Sequence, residues 1–120
     1  MFMQLAVVGM GGFVGACARY LISLIPMQSR GIYPINTFIT NIIGAVLIGF
    51  IIAYAKDTDM DPNKLLFLKT GLCGGLTTFS TFSVEAWGLL ESGSWIQGGL
   101  YIILSVVCCI AGVYVGLRLG

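Results

Sequence analysis

Histidine is absent from this 120-residue chain, and charge is nearly so, at 9% of residues. Without histidine the usual general base is gone, along with the Ser-His and Cys-His pairs of nucleophilic catalysis. A soluble domain carries roughly a quarter charged residues. Here 58% are hydrophobic and the mean hydropathy is +0.98, so the polar surface that water requires is missing and lipid is the solvent that fits. A net charge of +1 gives no electrostatic case for nucleic acid. Cys17, Cys73, Cys108 and Cys109 all fall in apolar runs, with no C-x-x-C spacing. A disulfide framework or zinc site is therefore not expected, and the cysteines read as small hydrophobes. No base, metal cluster or phosphate loop can be assembled, which excludes an enzyme.

What is present is apolar length. Four runs, about 5–25, 35–55, 65–90 and 95–117, each reach the roughly 20 residues needed to cross a hydrocarbon core about 30 Å thick. The first lacks a basic n-region and is too long for a signal peptide, so it reads as a retained span that stops at Pro26. The expectation is an all-α integral membrane protein, with residues 1–120 forming a single four-helix transmembrane domain. Loops lie at Pro26–Pro34, Lys56–Lys64 and Glu91–Ser94, and Tyr33, Tyr54 and Trp95 stand near span ends as interfacial anchors. The positive-inside signal is weak: Lys56, Lys64, Lys69 and Arg118 fall on one side, Arg30 and Arg19 on the other. Either the N-terminus is cytoplasmic, or copies insert both ways and pair antiparallel.

Glycine marks the contacts. G-x-x-x-G occurs at Gly11/Gly15, Gly71/Gly75 and Gly112/Gly116, and each pair removes two side chains from one helix face so that another backbone can approach. Four helices are few to enclose both a pathway and a packing core, so an oligomer, a dimer first, is expected.

The third span carries the chemistry. Residues 71–85 read GLCGGLTTFSTFSVE, with Thr77, Thr78, Ser80, Thr81 and Ser83 interrupted by Phe79 and Phe82. Gly74-Gly75 weakens the helix, and non-helical backbone at membrane depth survives only when buried in protein or lining a polar cavity. A break there frees carbonyls for a cation, while the hydroxyls can donate to an anion. The alternative is an unbroken helix whose hydroxyls bond back to the preceding turn. Arg19, Lys69 and Glu85 lie at depth but within two turns of span ends, where snorkelling is the competing reading. Asn41 sits about two turns into its span, where its amide needs partners.

These residues resemble the Fluc (CrcB) family of fluoride channels along essentially the whole chain. The carrying motifs are Gly11-Gly12-x-x-Gly15-Ala16-x-x-Arg19-Tyr20, Thr40-Asn41-x-x-Gly44 and, most specific, the string from Gly71 through Glu85. Asn36 stands where the family pattern has Gly, and Cys109 stands one turn beyond Ser105 where another hydroxyl is expected. The resemblance implies a passive fluoride channel that lowers cytoplasmic fluoride. It implies an antiparallel, dual-topology homodimer in the inner (plasma) membrane, with two pores and a central structural sodium ion. Asn41, Phe79 and Phe82 would line the pores, with Ser80 and Thr81 as hydroxyl donors and Tyr101 and Ser105 on the fourth helix. Glu85 would lie near the anion path and Arg19 near a vestibule. Main-chain carbonyls of Gly74 and Thr77 from both chains would hold the sodium. Two other readings compete: a small four-helix, dual-topology drug or cation exporter, and a membrane assembly subunit with no transport of its own. The exporter needs an acidic residue deep in the first span, which holds Arg19 instead.

Overall fold

The computed structural model describes residues 1–26 and 34–120, so Arg30 and Tyr33 lie outside the described residues. Helix α1 (Phe2–Ser23) starts three residues earlier than the apolar run suggests. It stops at Leu24, two residues before Pro26, as the restriction on the residue preceding a proline favours. Helix α2 (Ile35–Thr58) begins after Pro34 and runs on through Lys56 and Asp57, into the loop expected at Lys56–Lys64. Its carboxyl end closes on Asp59, in the left-handed region with φ 52°. The next helix starts almost at once. Asp61 caps it by accepting from the Asn63 and Lys64 amides at 3.1 and 3.2 Å, and Pro62 takes the first helical position, where its missing N–H costs nothing.

The third crossing is made of pieces. α3 (Pro62–Leu65), a π-helical stretch Leu66–Cys73 and α4 (Gly74–Leu76) form one arm, and α5 (Phe79–Glu91) follows after a break at Thr77 and Thr78. Both break residues are extended, with φ/ψ of −83/157° and −148/123°. The break expected from Gly74-Gly75 and the Thr pair is therefore present, a few residues beyond the glycines. α5 ends in a turn where Gly93, at φ 88°, lets the Gly93 and Ser94 amides return to the Leu90 and Leu89 carbonyls. α6 (Trp95–Leu119) completes the bundle.

Among the described residues α1, α2 and α6 are each long and apolar enough to cross a membrane. Large side chains face outward: Phe13, Trp87, Ile96 and Ile110 are all exposed. The longest dimension, 49 Å, accommodates a hydrocarbon core of about 30 Å plus both headgroup regions. This is a multi-pass membrane protein.

The helices pack as two close pairs, and glycine sets both. In the first, α1 meets the arm of the third crossing. A Cβ on Gly75 would lie 2.6 Å from the Gly12 carbonyl oxygen, and one on Gly71 would lie 2.8 Å from the Gly11 Cα. In the second, α2 lies along α6, where a Cβ on Gly116 would approach the Phe50 nitrogen at 2.7 Å. With no hydrophobic drive between helices in lipid, such backbone-to-backbone contact supplies the attraction. Asn36, at the family's glycine position, is buried and donates from Nδ2 to the Ile22 and Ile25 carbonyls at 2.7 and 2.8 Å. It adds a donor to two carbonyls at the end of α1 and ties α1 to α2.

Candidate functional site

The break in the third crossing rearranges backbone hydrogen bonds. In an unbroken helix the Thr78 amide would donate to the Gly74 carbonyl. Here it donates to Asn41 Oδ1 at 2.8 Å, and Asn41 Nδ2 donates to the Thr78 carbonyl at 3.2 Å. One primary amide thus pairs with both polar groups of a single extended residue, as a neighbouring strand would. An amide nitrogen carries two hydrogens, so one remains for another acceptor.

The two ends of the break are held separately. On the arm side, Arg19 Nε donates to the Gly75 carbonyl at 3.1 Å, and Thr77 Oγ1 donates to the Cys73 carbonyl at 2.9 Å. Arg19 is thus tied into the bundle and does not simply snorkel. The Gly74 carbonyl, deprived of its Thr78 partner, is released. On the α5 side, Thr78 Oγ1 caps the helix by accepting from the Thr81 amide at 3.1 Å, and it lies 3.3 Å from Ser80 Oγ. The break therefore sets the carbonyl-rich end of one helical segment against the amino end of another. Their partial charges favour a cation and an anion respectively.

A cavity of about 600 Å³ opens beside this break. Asn41 and Gly74, Thr77 and Phe79, and Phe82 with Ser105 all line it, as do Cys73, Lys69 and Cys109. Phe79 and Phe82 stand with ring centroids 5.5 Å apart, tilted by 43°. Their exposures differ sharply: Phe79 is 78% exposed, whereas Phe82 is buried. Phe82 belongs to the chain's own apolar cluster with Ala86, Leu89 and Tyr101. The Tyr101 ring lies 5.1 Å from that of Phe82 and lines a second cavity of about 330 Å³ with Phe38.

Between these cavities Glu85 is bonded inside the bundle. Thr37 Oγ1 donates to its Oε2 and Tyr101 Oη to its Oε1, both at 3.1 Å. Both carboxylate oxygens are thus engaged by side chains of other helices, which disfavours the snorkelling alternative. Ser80, Thr81, Tyr101, Glu85 and Arg19 do not line the larger cavity. The Ser105 hydroxyl is buried and has no hydrogen-bond partner among the described residues. Back-bonding to the preceding turn, the alternative for the hydroxyl string, holds for Ser83, which donates to the Phe79 carbonyl at 2.8 Å.

Sequence reasoning missed three contributors. Thr37 gave no signal beyond a hydroxyl one turn before Asn41. Thr78 was visible only as one hydroxyl among several, although Thr immediately before a helical run is an N-cap signal. Lys69 reads from the sequence as a snorkelling side chain, yet it borders the cavity, where it adds positive charge.

A family model described as "CrcB-like protein, Camphor Resistance (CrcB)" matches residues 6–117. A relative from Clostridium perfringens, "Fluoride-specific ion channel FluC", is 46% identical over 116 residues, covering 95% of this chain and 91% of its own. One of the same description from Methanococcus aeolicus is 42% identical, covering 94% and 91%, and one from Shewanella woodyi is 42% identical, covering 93% and 91%. Matched along nearly its whole length by the family model and by these relatives, the chain belongs to the CrcB-like family.

Proposed function

We propose that the chain is a fluoride-selective channel that lets fluoride leave the cytoplasm passively, working in the inner (plasma) membrane as an antiparallel, dual-topology homodimer with two pores. It is not an enzyme. The observation that carries the reading is the Asn41–Thr78 pairing across the break, which leaves one amide hydrogen for another acceptor on a residue that lines the same cavity as Phe79 and Phe82.

Fluoride is small and strongly hydrated, so a path must replace its water with donors. Neutral donors hold the ion without trapping it, as a guanidinium would. Asn41 supplies an amide hydrogen, and Ser80, Thr81 and Ser105 supply hydroxyls, while the Tyr101 hydroxyl is given to Glu85. Phe79 and Phe82 present ring edges, which carry partial positive charge. Chloride is larger and meets a narrower path. Glu85 orients Tyr101 beside the path, and Arg19 steadies the arm near a vestibule.

Support for two copies comes from Phe79. A pore residue that is 78% exposed in one chain gains a second wall when another copy covers it. The donor chemistry also fits a cation at the two-fold axis. Gly74 has lost its amide partner and Thr77 is extended, and neutral backbone oxygens suit a hard ion such as sodium. Gly74 and Thr77 carbonyls from both copies would hold it. Bound there, sodium supplies a fixed positive charge that lowers the cost of an anion nearby.

The exporter reading is disfavoured because α1 holds no acidic residue. Purified protein in fluoride-loaded liposomes tests the proposal with a fluoride electrode. Rapid release without any proton gradient is expected. No release from verified dimers returns the weight to an exporter or an assembly subunit.

A further inference from the structure

Among the described residues Lys69 is the one charged residue that lines the larger cavity. No carboxylate lines it, and Glu85 is already bonded to Thr37 and Tyr101. A lysine at membrane depth is costly unless it meets water or an opposite charge. Lys69 is exposed, and snorkelling alone gives no reason for it to stand on the cavity wall.

Its place along the cavity follows from the course of the chain. Consecutive crossings alternate in direction, so the arm of the third runs antiparallel to α2 and α6. Lys69, Thr70, Cys73, Gly74, Thr77 and Thr78 line the cavity in steps of four, as one face of the arm. Thr78 is paired with Asn41, so Lys69 falls at the opposite end, which Ile48 and Val113 line. Ile48 is seven residues past Asn41, about 10 Å along α2. Lys69 therefore stands at the mouth, and Asn41 and Phe82 stand at the floor. The surroundings make its charge count. Helices α2 and α6 end on this side of the membrane, and the carbonyl end of a helix is negative. Asp57, Asp59 and Asp61 lie on the same side, against Lys56, Lys64 and Arg118, and none of the six lines the cavity. Outside, acids and bases balance. Inside, the ammonium is unopposed.

We infer that Lys69 is a capture site for small inorganic anions at the mouth of the cavity, gathering fluoride and chloride alike and leaving discrimination to the groups at the floor. A lysine ammonium is a strongly hydrated point charge on a flexible stem. It holds an anion loosely and can pass it inward. Its reach depends on salt, since charges are screened beyond about 30 Å at 0.01 M ionic strength and beyond about 3 Å at 1 M. The feeding of a path rests on the channel reading, whereas anion binding at Lys69 does not.

Two measurements separate these parts. The first follows lysine acylation of the protein in lipid nanodiscs by peptide mass spectrometry, with Lys56 and Lys64 as internal references. Replacing gluconate with chloride at constant ionic strength is expected to slow acylation of Lys69 by about twofold or more and to leave the references unchanged. An unreactive Lys69, or one protected no more than Lys64, overturns the site. The second is initial fluoride efflux from liposomes at a fixed fluoride gradient, in potassium gluconate at roughly 0.01 M and 1 M ionic strength. K69M is expected to be slower than wild type by about threefold or more at the low ionic strength, with the gap closing at the high one. K69R keeps the charge and is expected to match wild type at both. Wild-type flux in K69M at low ionic strength, an equal deficit at both, or a K69R as slow as K69M overturns the feeding role. Absence of fluoride release from wild type counts against the channel reading, and anion protection of Lys69 still decides the site.

Discussion

Asn41 and Thr78 are joined by two hydrogen bonds of opposite direction, 2.8 Å from the Thr78 amide and 3.2 Å to its carbonyl. N41A leaves both groups unpaired, at a cost of about 1–3 kcal/mol each when buried. N41D keeps the acceptor but loses the donor, and it adds a charge that repels an anion. Both variants are expected to lose fluoride flux, with N41A the less stable by thermal unfolding in detergent. An N41A protein with wild-type melting and flux removes this pairing from the account.

Some glycines lie against backbone and others face open space. A Cβ on Gly75 meets the Gly12 carbonyl, whereas nothing lies within 4 Å of one on Gly9 or Gly88. G75A is expected to push α1 off the arm at a cost of about 1–3 kcal/mol. G9A and G88A are expected to leave stability unchanged or slightly raised, since alanine is the better helix former. Melting temperatures of the three variants check this. Equal behaviour would deny the close backbone packing.

Phe79 and Phe82 combine one geometry with two different burials. F79I and F82I are both expected to reduce fluoride flux sharply, with the dimer intact by size-exclusion chromatography. Both lose the Phe79–Phe82 contact, and F82I also loses ring contact with Tyr101 at 5.1 Å, so it is expected to be the less stable of the two, by about 1 kcal/mol. Unchanged flux in either variant counts against ring edges as anion contacts.

Glu85 accepts one hydroxyl on each oxygen, from Thr37 and Tyr101. Y101F removes one donor and is expected to destabilise the bundle by about 1–3 kcal/mol, because it leaves a carboxyl oxygen inside the bundle without its partner. E85Q is milder, since its amide can donate to one hydroxyl while its oxygen accepts from the other. Unfolding of E85Q and Y101F compared side by side checks the order. A less stable E85Q would mean that the carboxylate has contacts beyond these two hydroxyls.

How far these features are legible in the sequence depends on whether a local or a distant partner makes them. The four crossings and the break follow from apolar length and from Gly74-Gly75 before Thr77-Thr78, which are local properties. The break falls at Thr77 and Thr78 because the Thr78 hydroxyl caps α5 there. The fates of Arg19 and Glu85 could not be read from depth alone, since each is decided by which helix faces it. Gly75 offers Arg19 a carbonyl, and Thr37 and Tyr101 offer Glu85 two hydroxyls. Asn36 looked like a departure from a family pattern, and only the packed end of α1 gives it a purpose. The π-helical stretch Leu66–Cys73 has no local signature. Its glycine-set contact with α1 involves residues more than fifty positions away.

The most direct test of a fluoride-selective path is a reversal potential. Dimers in a planar bilayer, with fluoride at different concentrations on the two sides and chloride equal on both, are recorded under voltage clamp. The current is predicted to reverse at the fluoride equilibrium potential, and replacing chloride with an impermeant anion is predicted not to move it. Reversal near zero, or a shift when chloride is replaced, would mean that chloride shares the path and would contradict the selectivity assigned to Asn41, Phe79 and Phe82.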